Sequence, residues 1–310
     1  MNAKTPAAKA LRAAVIGLGS MGYGMAQSLR RAGFDVTGCD VNADTVKRFV
    51  AEDGSGAAQP GEAAAQADIV VSVVVNAAQT EAILFGENGV AQKMKKGAVF
   101  VSSATMDPDV ARRLAAQLEA KGHLYLDAPI SGGAQRAAEG GLTILASGSP
   151  AAFAAARPAL DAMAAKLYEL GDKPGEGSAF KMINQLLAGV HIAAASEAIA
   201  LAARQGLDIR KVYEVITASA GNSWMFENRM PHVLDGDYTP RSAVDIFVKD
   251  LGIIQDMARS AKFPVPVSAA AWQMFLATSA AGMGRDDDAS VARLYAQITG
   301  TQLPKSKSPR

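Results

Sequence analysis

The sequence has little of what disulfide-rich, metal-binding and nucleic-acid-binding proteins need. It holds a single cysteine, Cys39, which excludes an internal disulfide and fits a reducing compartment. Its three histidines (His123, His191 and His232) are scattered, so their spacing predicts no metal site. The net charge is only +1, and no run of lysine and arginine with interleaved aromatic residues occurs, so we expect no nucleic-acid partner.

Long hydrophobic runs are missing too. The alanine-rich stretch 186–203 is the nearest approach to a membrane span, but it contains His191, Ser196 and Glu197, which favours a buried helix. The head, residues 1–12, is rich in alanine and lysine and lacks the apolar segment of a secretory signal. We therefore expect a cytoplasmic protein without a membrane partner. Its 310 residues, 49% hydrophobic and 20% charged, are enough for two domains.

The N-terminal part has the pattern of a dinucleotide-binding unit. An apolar strand over residues 12–17 leads into a glycine-rich turn, a helix pattern and a second strand that ends at Asp40. Gly17 permits the tight turn, Gly19 lets the backbone approach a pyrophosphate, and Gly22 lets helix and strand pack closely. The turn residues predicted to contact the cofactor are Gly17, Leu18, Gly19, Ser20, Met21 and Gly22.

Asp40 indicates which dinucleotide binds. It lies 18 residues past Gly22, at a strand end, where a carboxylate can bind both ribose hydroxyls. The same carboxylate would repel a 2′-phosphate, and no arginine follows it in residues 41–44. The sequence therefore predicts NAD rather than NADP as the cofactor.

Strand and helix patterns alternate as far as about residue 170, which predicts a Rossmann-type, mostly parallel sheet with helices on both faces. Asn76 and Thr105 each follow a predicted strand, at the edge where ligands of such sheets bind. We expect both to contact the cofactor. A helix cap is an equally supported interpretation of Asn76, and an ordinary loop position is the alternative for Thr105.

A serine and two glycines, Ser131, Gly132 and Gly133, follow the next predicted strand. Adjacent glycines leave backbone N–H groups able to bind a carboxylate. A plain tight turn is an equally good interpretation of this short segment.

Past Gly175 the pattern is helical almost throughout, beginning with one long helix. We therefore divide the chain into an α/β domain, residues 1–174, and an all-α domain, residues 175–310. On the long helix Lys181, Asn184 and Gln185 are spaced i, i+3 and i+4, so they share one face. A cation beside amide groups suits a small anionic, oxygen-rich substrate, although spacing alone favours a solvated lysine.

Four stretches, in this order, resemble the β-hydroxyacid dehydrogenase family, which includes 3-hydroxyisobutyrate and tartronate semialdehyde enzymes. They are Gly17-Leu-Gly-Ser-Met-Gly22, Asp127-Ala-Pro-Ile-Ser-Gly-Gly133, Gly175-x-Gly-x-x-x-Lys181-x-x-Asn184 and Lys249-Asp250-Leu251. The resemblance implies NAD-dependent oxidation of a hydroxy acid and oligomers, a homodimer or homotetramer, built through the helical domain.

The resemblance also implies residue roles. Lys181 would be the catalytic lysine, assisted by Asn184, and Ser131, Gly132 and Gly133 would hold the substrate carboxylate. Asn76 and Thr105 would line the cofactor site, and Lys249 would close over substrate and cofactor. An ordinary i, i+4 surface pair with Asp245 is the alternative for Lys249.

Two departures from the family pattern alter the predicted substrate pocket. Gln185 replaces a second asparagine, where we expect it to contact a further substrate hydroxyl, and the loop after Gly133 lacks a further glycine in residues 134–137. The stretches 221–230 and 235–249 resemble the branch acting on four-carbon sugar acids.

We therefore expect oxidation of a short polyhydroxy acid. Asn222 and Trp224 are interpreted as a wall for the polyol chain, although core anchoring of Trp224 is equally supported. Another activity of the family, on 3-hydroxyisobutyrate or glycerate, is the alternative. A non-catalytic nucleotide-binding module is a second alternative, but it could do without a lysine at position 181.

Overall fold

The computed structural model describes residues 10–305, so most of the alanine- and lysine-rich head lies outside the described part. This part contains nine β-strands and thirteen α-helices. The strands are β1 (Arg12–Ile16), β2 (Asp35–Cys39), β3 (Ser55–Ala57), β4 (Ile69–Ser72), β5 (Val99–Ser102), β6 (Leu124–Asp127), β7 (Ile130–Ser131), β8 (Leu142–Gly148) and β9 (Ala164–Glu169).

The helices follow the same alternation up to residue 163 and then continue without strands from residue 176 onward. They are α1 (Gly22–Arg31), α2 (Ala43–Ala51), α3 (Pro60–Ala64), α4 (Ala77–Phe85), α5 (Pro108–Glu119), α6 (Gly133–Glu139), α7 (Pro150–Met163), α8 (Glu176–Arg204), α9 (Ile209–Thr217), α10 (Trp224–Asp235), α11 (Val244–Ser260), α12 (Pro266–Thr278) and α13 (Val291–Thr299).

The strands form one sheet in the order β3-β2-β1-β4-β5-β6-β8-β7, with β9 paired to β8. Every pairing from β3 to β6 is parallel, whereas β8 is antiparallel to β6 and β7. This confirms the predicted fold class. The apolar runs in β1, β4 and β5 are buried because the sheet is covered on both faces.

The two faces separate along β1 with the period of two expected for a strand. Ala13 and Val15 pack with one hydrophobic cluster, which includes Met25 of α1. Ala14 and Ile16 pack with the opposite cluster, together with residues of α5. Helices therefore cover both faces of the sheet, as predicted.

Two elements of the α/β part differ from the sequence-based expectation. Strand β3 was not predicted, because Ser-Gly-Ala carries none of the β-branched or aromatic residues that mark strands. Residues 134–137, expected to be a loop, lie in helix α6. The two glycines before them resemble a plain turn in sequence, and a helix of 7 residues gives little periodic signal.

The C-terminal part is all helical, as predicted. The chain divides into two compact units, one ending at Lys181 and the other beginning at Met182, within α8. Among residues 10–305 one helix, α8, is long and apolar enough to cross a membrane by length and composition. In the second unit this helix packs in the helical core, where a Cβ on Gly189 would lie 3.0 Å from the side chains of Leu251 and Phe247.

Candidate active site

The turn after β1 has the shape that a pyrophosphate requires. Gly17 has φ +92°, and a Cβ there would lie 2.3 Å from the carbonyl oxygen of Val73. A Cβ on Gly22 would lie 1.8 Å from the carbonyl oxygen of Gly17. The Cβ position of Gly19, in contrast, meets no atom of the described chain within 4 Å. The turn is therefore closed towards the sheet and open at Gly19, where a ligand can approach the backbone.

The N-terminus of α1 differs from those of α2, α4 and α5. Those helices are capped by the side chains of Asn42, Asn76 and Asp107, respectively. Helix α1 begins after Met21, without a side-chain cap and without an acidic residue in its first turn. Its first N–H groups and its dipole can therefore serve an anion. The capping interpretation of Asn76 is confirmed, and its contact with the cofactor stays a prediction.

Asp40 ties the glycine turn to the end of β2. Its Oδ2 accepts a hydrogen bond from the backbone N–H of Leu18 at 2.6 Å, and its Oδ1 accepts one from Asn42 N–H at 2.8 Å. Each carboxylate oxygen has a second lone pair, so the group can still accept from ribose hydroxyls. Val41, which follows, is fully exposed and carries no charge. The glycine turn, the uncapped helix and this carboxylate together fit a nicotinamide dinucleotide.

The edge of the sheet beyond β5 carries Thr105, which is half-buried between β5 and α5. Its neighbours Ala104 and Met106 are buried in the core. The backbone around Thr105 is therefore held in place, as a ligand-contacting threonine would need.

The serine–glycine segment joins β7 to α6. Ser131 pairs with Thr143 of β8, and Gly132 and Gly133 have φ values of +140° and +82°. The left-handed region is accessible to glycine and strained for other residues. A Cβ on Gly133 would meet no described atom within 4 Å, so its surroundings are open.

Helix α6, and with it this segment, is held against α1. The hydroxyl of Ser28 donates to the carbonyl oxygen of Ala137 at 3.0 Å. A Cβ on Gly24 would lie 2.5 Å from the backbone nitrogen of Ala138, so the two backbones touch. The segment predicted to bind substrate is thus fixed to the helix predicted to bind cofactor.

The start of α8 is anchored by Asp127, a residue that the sequence analysis did not single out. This fully buried carboxylate accepts hydrogen bonds from Gly175 N–H at 3.0 Å, Ser178 N–H at 2.8 Å and Ser178 Oγ at 2.7 Å. Burial raises the pKa of Asp127 above its ordinary value, and the bonds from Ser178, Gly175 and Ser147 oppose that rise. The anchor fixes the first turn of α8, one turn before Lys181.

The three residues predicted on one face of α8 do not share one environment. Lys181 and Gln185 are each 7% exposed, whereas Asn184 is exposed. A lysine so deeply buried is unusual for a residue that only solubilises a helix. Burial of Lys181 thus argues against the solvated-lysine interpretation.

Gln185 and Asn184 belong to a polar network within the second unit. The Gln185 side-chain Nε2 donates to Asp250 Oδ2 at 2.5 Å, and Asn184 Nδ2 donates to Gln185 Oε1 at 3.0 Å. The ammonium of Lys249 lies 2.7 Å from Asp250 Oδ1. Both ends of the Gln185 amide therefore have protein partners, and its contact with a substrate hydroxyl stays a prediction.

Asn222 and Trp224 lie at the start of α10, as predicted. The Asn222 amide donates to Glu227 Oε1 at 2.5 Å and to Thr217 O at 3.3 Å, so it orders the chain before the helix. Trp224 is 54% exposed, whereas Phe226 is 3% exposed. The core-anchoring interpretation is wrong for Trp224, and the residue of this stretch that packs in the helical core is Phe226.

Within residues 10–305 no group of three or more histidine, cysteine, aspartate or glutamate side chains is arranged to hold an ion.

The chain matches two protein-family models and several known proteins. Residues 12–171 match the model of the NAD binding domain of 6-phosphogluconate dehydrogenase, and residues 175–295 match that of the NAD-binding region of NADP-dependent 3-hydroxyisobutyrate dehydrogenase. The chain is 54% identical to L-threonate dehydrogenase of Cupriavidus necator over 94% of its own length and 97% of that protein. The chain belongs to the β-hydroxyacid dehydrogenase family.

Two further relatives show the breadth of the family. The mitochondrial 3-hydroxyisobutyrate dehydrogenase of Rattus norvegicus is 32% identical, over 89% of this chain and 84% of that protein. The crystal structure of a Salmonella typhimurium protein described as 3-hydroxyisobutyrate dehydrogenase superposes with a TM-score of 0.88 at 50% identity. The superposition covers 92% of this chain and 99% of the Salmonella typhimurium protein.

Family membership confirms that the chain is a hydroxyacid dehydrogenase that uses a nicotinamide dinucleotide. Sequence reasoning missed Asp127 and Asp250 as site-building residues, although both lie in the stretches that carry the resemblance. A usable signal existed for Asp250. It follows Phe247 by three residues and precedes Ile254 by four, so it occupies a core-facing position of α11. A carboxylate at such a position requires buried partners.

Proposed function

We propose that this β-hydroxyacid dehydrogenase is an L-threonate dehydrogenase, which oxidises L-threonate to its 2-oxo acid with NAD. The observation that carries the proposal is the buried Lys181 on α8, in a chain about half identical to a protein of that name. The polar stretch at the start of α10, with the half-exposed Trp224, supports a pocket for a hydroxylated chain.

Lys181 is the general base in this proposal. When bound, the nicotinamide dinucleotide supplies the hydride acceptor. Lys181 in its neutral form removes the proton of the substrate hydroxyl as hydride leaves the carbinol carbon, and in reverse its ammonium returns that proton. A general base of this kind works by accepting the hydroxyl proton in the transition state, which typically accelerates a reaction about 10²- to 10⁴-fold.

The remaining residues bind and orient. The backbone of Ser131, Gly132 and Gly133 holds the substrate carboxylate, and the open surroundings of Gly133 support this role. Asn184 orients Lys181 or the reacting oxygen, and Lys249 contacts substrate and cofactor. Asn76 and Thr105 line the cofactor site.

NAD is the proposed cofactor rather than NADP. Asp40 places a carboxylate at the end of β2, and the next residue, Val41, is uncharged. A 2′-phosphate there would meet a negative charge without a neighbouring cation in the following turn.

The test is NADH formation across a panel of L-threonate, D-threonate, erythronates, glycerate and 3-hydroxyisobutyrate, with NADP as a parallel cofactor. Selective turnover of L-threonate with NAD is the expected result. Preference for 3-hydroxyisobutyrate or glycerate would keep the family and refute the substrate. Absence of turnover with NAD still bound would favour a non-catalytic nucleotide-binding protein.

Lys181→Ala tests the base. We expect turnover to fall about 10²- to 10⁴-fold while NAD binding persists, because only proton transfer is removed. Lys173→Ala is the matched control, since Lys173 is exposed and lies just before α8. Near-normal turnover of Lys181→Ala, in a variant that melts like the wild type, would contradict the assignment.

We also propose that the protein is cytoplasmic and forms a homodimer or a homotetramer. Its proposed partner is a small hydroxy acid, and neither nucleic acid nor a membrane is expected to bind. Light scattering of the purified chain measures the oligomeric state, and cell fractionation measures the location.

A further inference from the structure

One buried carboxylate of the second unit, Asp250, contacts two elements of the proposed site. Asp250 is fully buried on α11, between the core residues Phe247 and Leu251. Its Oδ2 accepts from Gln185, and its Oδ1 lies 2.7 Å from the ammonium of Lys249. A buried carboxylate is costly unless paired; the Lys249 ammonium balances its charge at close range, and Gln185 supplies its hydrogen bond, since Oδ1 accepts none from the described residues.

The network has a direction, because a carboxylate only accepts hydrogen bonds. Asp250 therefore requires the NH₂ end of the Gln185 amide to face it. The carbonyl end of Gln185 then faces Asn184, and it accepts from the NH₂ end of that residue at 3.0 Å. The charge of Asp250 therefore sets the orientation of Asn184 through Gln185. The NH₂ end of the Asn184 amide is used by Gln185, so its oxygen can accept from an ammonium or a hydroxyl.

The helices that carry the network are held close together. Gly189 lies one turn beyond Gln185 on α8, and a Cβ there would come within 3.0 Å of the side chains of Leu251 and Phe247. Gln185 itself is 7% exposed. Its additional methylene, compared with asparagine, extends the amide towards α11, where Asp250 receives it.

We propose that Asp250 is a positioning residue for the dehydrogenase reaction. Through Gln185 it sets the amide orientation of Asn184, so that Asn184 presents its oxygen to Lys181 or to the substrate hydroxyl, and it also holds Lys249. Gln185 is accordingly a relay within the protein. This inference rests on the proposed function of Lys181 and Asn184.

The first variant is Asp250→Asn, which keeps the size of the side chain. An asparagine offers a donor as well as an acceptor, so the Gln185 amide is free to turn over. We expect kcat to fall about 10- to 100-fold, because orientation of the reacting groups is lost. The charge that holds Lys249 is lost as well, so KM and the dissociation constant for NADH should rise.

The second variant is the double substitution Asp250→Asn with Gln185→Glu, which restores the direction of the hydrogen bonds that reach Asn184. The amide introduced at position 250 can donate its NH₂ group to the carboxylate introduced at position 185, and that carboxylate accepts from Asn184 as the wild-type amide does. We expect kcat to recover to within about threefold of the wild type. The partner of Lys249 is not restored, so KM should stay raised. The single Gln185→Glu variant places two carboxylates together and should be slow.

Asp245→Asn is the matched control, since Asp245 is exposed on the same helix and pairs with Ser279. It should leave kcat and KM unchanged. An Asp250→Asn enzyme that folds and keeps its kcat would overturn the proposal. A double variant as slow as Asp250→Asn, with the same melting temperature as the wild type, would overturn the relay of orientation.

Neutron diffraction from deuterated wild-type crystals reads the amide orientations without any substrate. We expect deuterium on Gln185 Nε2 facing Asp250 and deuterium on Asn184 Nδ2 facing Gln185. The reverse orientation would overturn the inference even if the enzyme oxidises L-threonate. Wild-type inactivity on the hydroxy acid panel, with the amides oriented as expected, would refute the proposed function and leave the network intact.

Discussion

Replacement of Asp127 by asparagine is the sharpest test of how the fold positions Lys181. Three hydrogen bonds from the first turn of α8 converge on this buried carboxylate, two from backbone N–H groups and one from the hydroxyl of Ser178. Both backbone N–H groups donate to Oδ2, so an asparagine oxygen in that place keeps these two bonds but loses the negative charge that strengthens them. The NH₂ group then takes the place of Oδ1, and the Ser178 hydroxyl has to turn so that it accepts instead of donating.

The magnitude follows from these contacts. A hydrogen bond to a charged acceptor contributes about 1.5–3 kcal/mol, and an anion at a buried helix N-terminus adds up to about 2 kcal/mol. Since asparagine keeps the two backbone bonds without the charge, we expect a loss of about 2–4 kcal/mol in the free energy of unfolding. For a unit of this size the melting temperature should fall by about 10 °C.

The assay is thermal unfolding followed by circular dichroism, with turnover measured at a temperature where the variant is folded. Ser178→Ala removes only the hydroxyl donor to this carboxylate and should cost about 1.5–3 kcal/mol. Asp109→Asn is the control, because Asp109 is an exposed aspartate on α5. We also expect Asp127→Asn to lower kcat, since Lys181 follows Ser178 by one turn. A melting temperature within about 2 °C of the wild type would refute the anchoring role.

Two further predictions concern packing and pH. Gly24→Ala should destabilise the protein by about 1–3 kcal/mol in denaturant titration, because the new methyl group meets the backbone of Ala138. Gly252→Ala, whose methyl group would lie 3.7 Å from Trp272, should be neutral or stabilising. Burial raises the pKa of Asp288 to about 6, although the nearby Arg229 lowers it. Its folded-state pKa then exceeds the unfolded value of about 3.9, so the stability it contributes is fully present below about pH 4 and is lost as pH rises through about 6. The difference in unfolding free energy between Asp288→Asn and the wild type should change by up to about 3 kcal/mol over that window, and a pH-independent difference would contradict the shift.

The parts predictable from sequence are those whose cause is local. Glycine is needed at positions 17 and 22 because a Cβ there would clash with backbone atoms of Val73 and Gly17, respectively. The order of strand, turn and helix makes both positions recognisable in the sequence. Capping by Asn42 and Asp107 is a contact within one turn, so the sequence shows it directly. Helix α6 escaped prediction because a Gly-Gly pair and seven residues give too short a periodic signal.

The anchors of α8 are a different case, because their partners are distant in sequence. Asp127 is 48 and 51 residues from the groups it binds, and Asp250 is 65 residues from Gln185. The i, i+3, i+4 spacing placed Lys181, Asn184 and Gln185 on one face, but it could not reveal that Gln185 is turned inward. Exposure separates these neighbours, and only the fold determines exposure.

This difference bears on how substrate preference is inferred from the chain. Gln185 in place of asparagine is the departure from the family pattern that predicts a substrate contact, yet its amide is used by Asp250 and Asn184. The proposed relay predicts that the effect of this substitution on the reaction passes through the orientation of Asn184. Variants that exchange Gln185 for asparagine should change kcat for every hydroxy acid in the panel by a similar factor. A change in the ratio of kcat/KM between L-threonate and 3-hydroxyisobutyrate would instead show direct contact, and would contradict the relay.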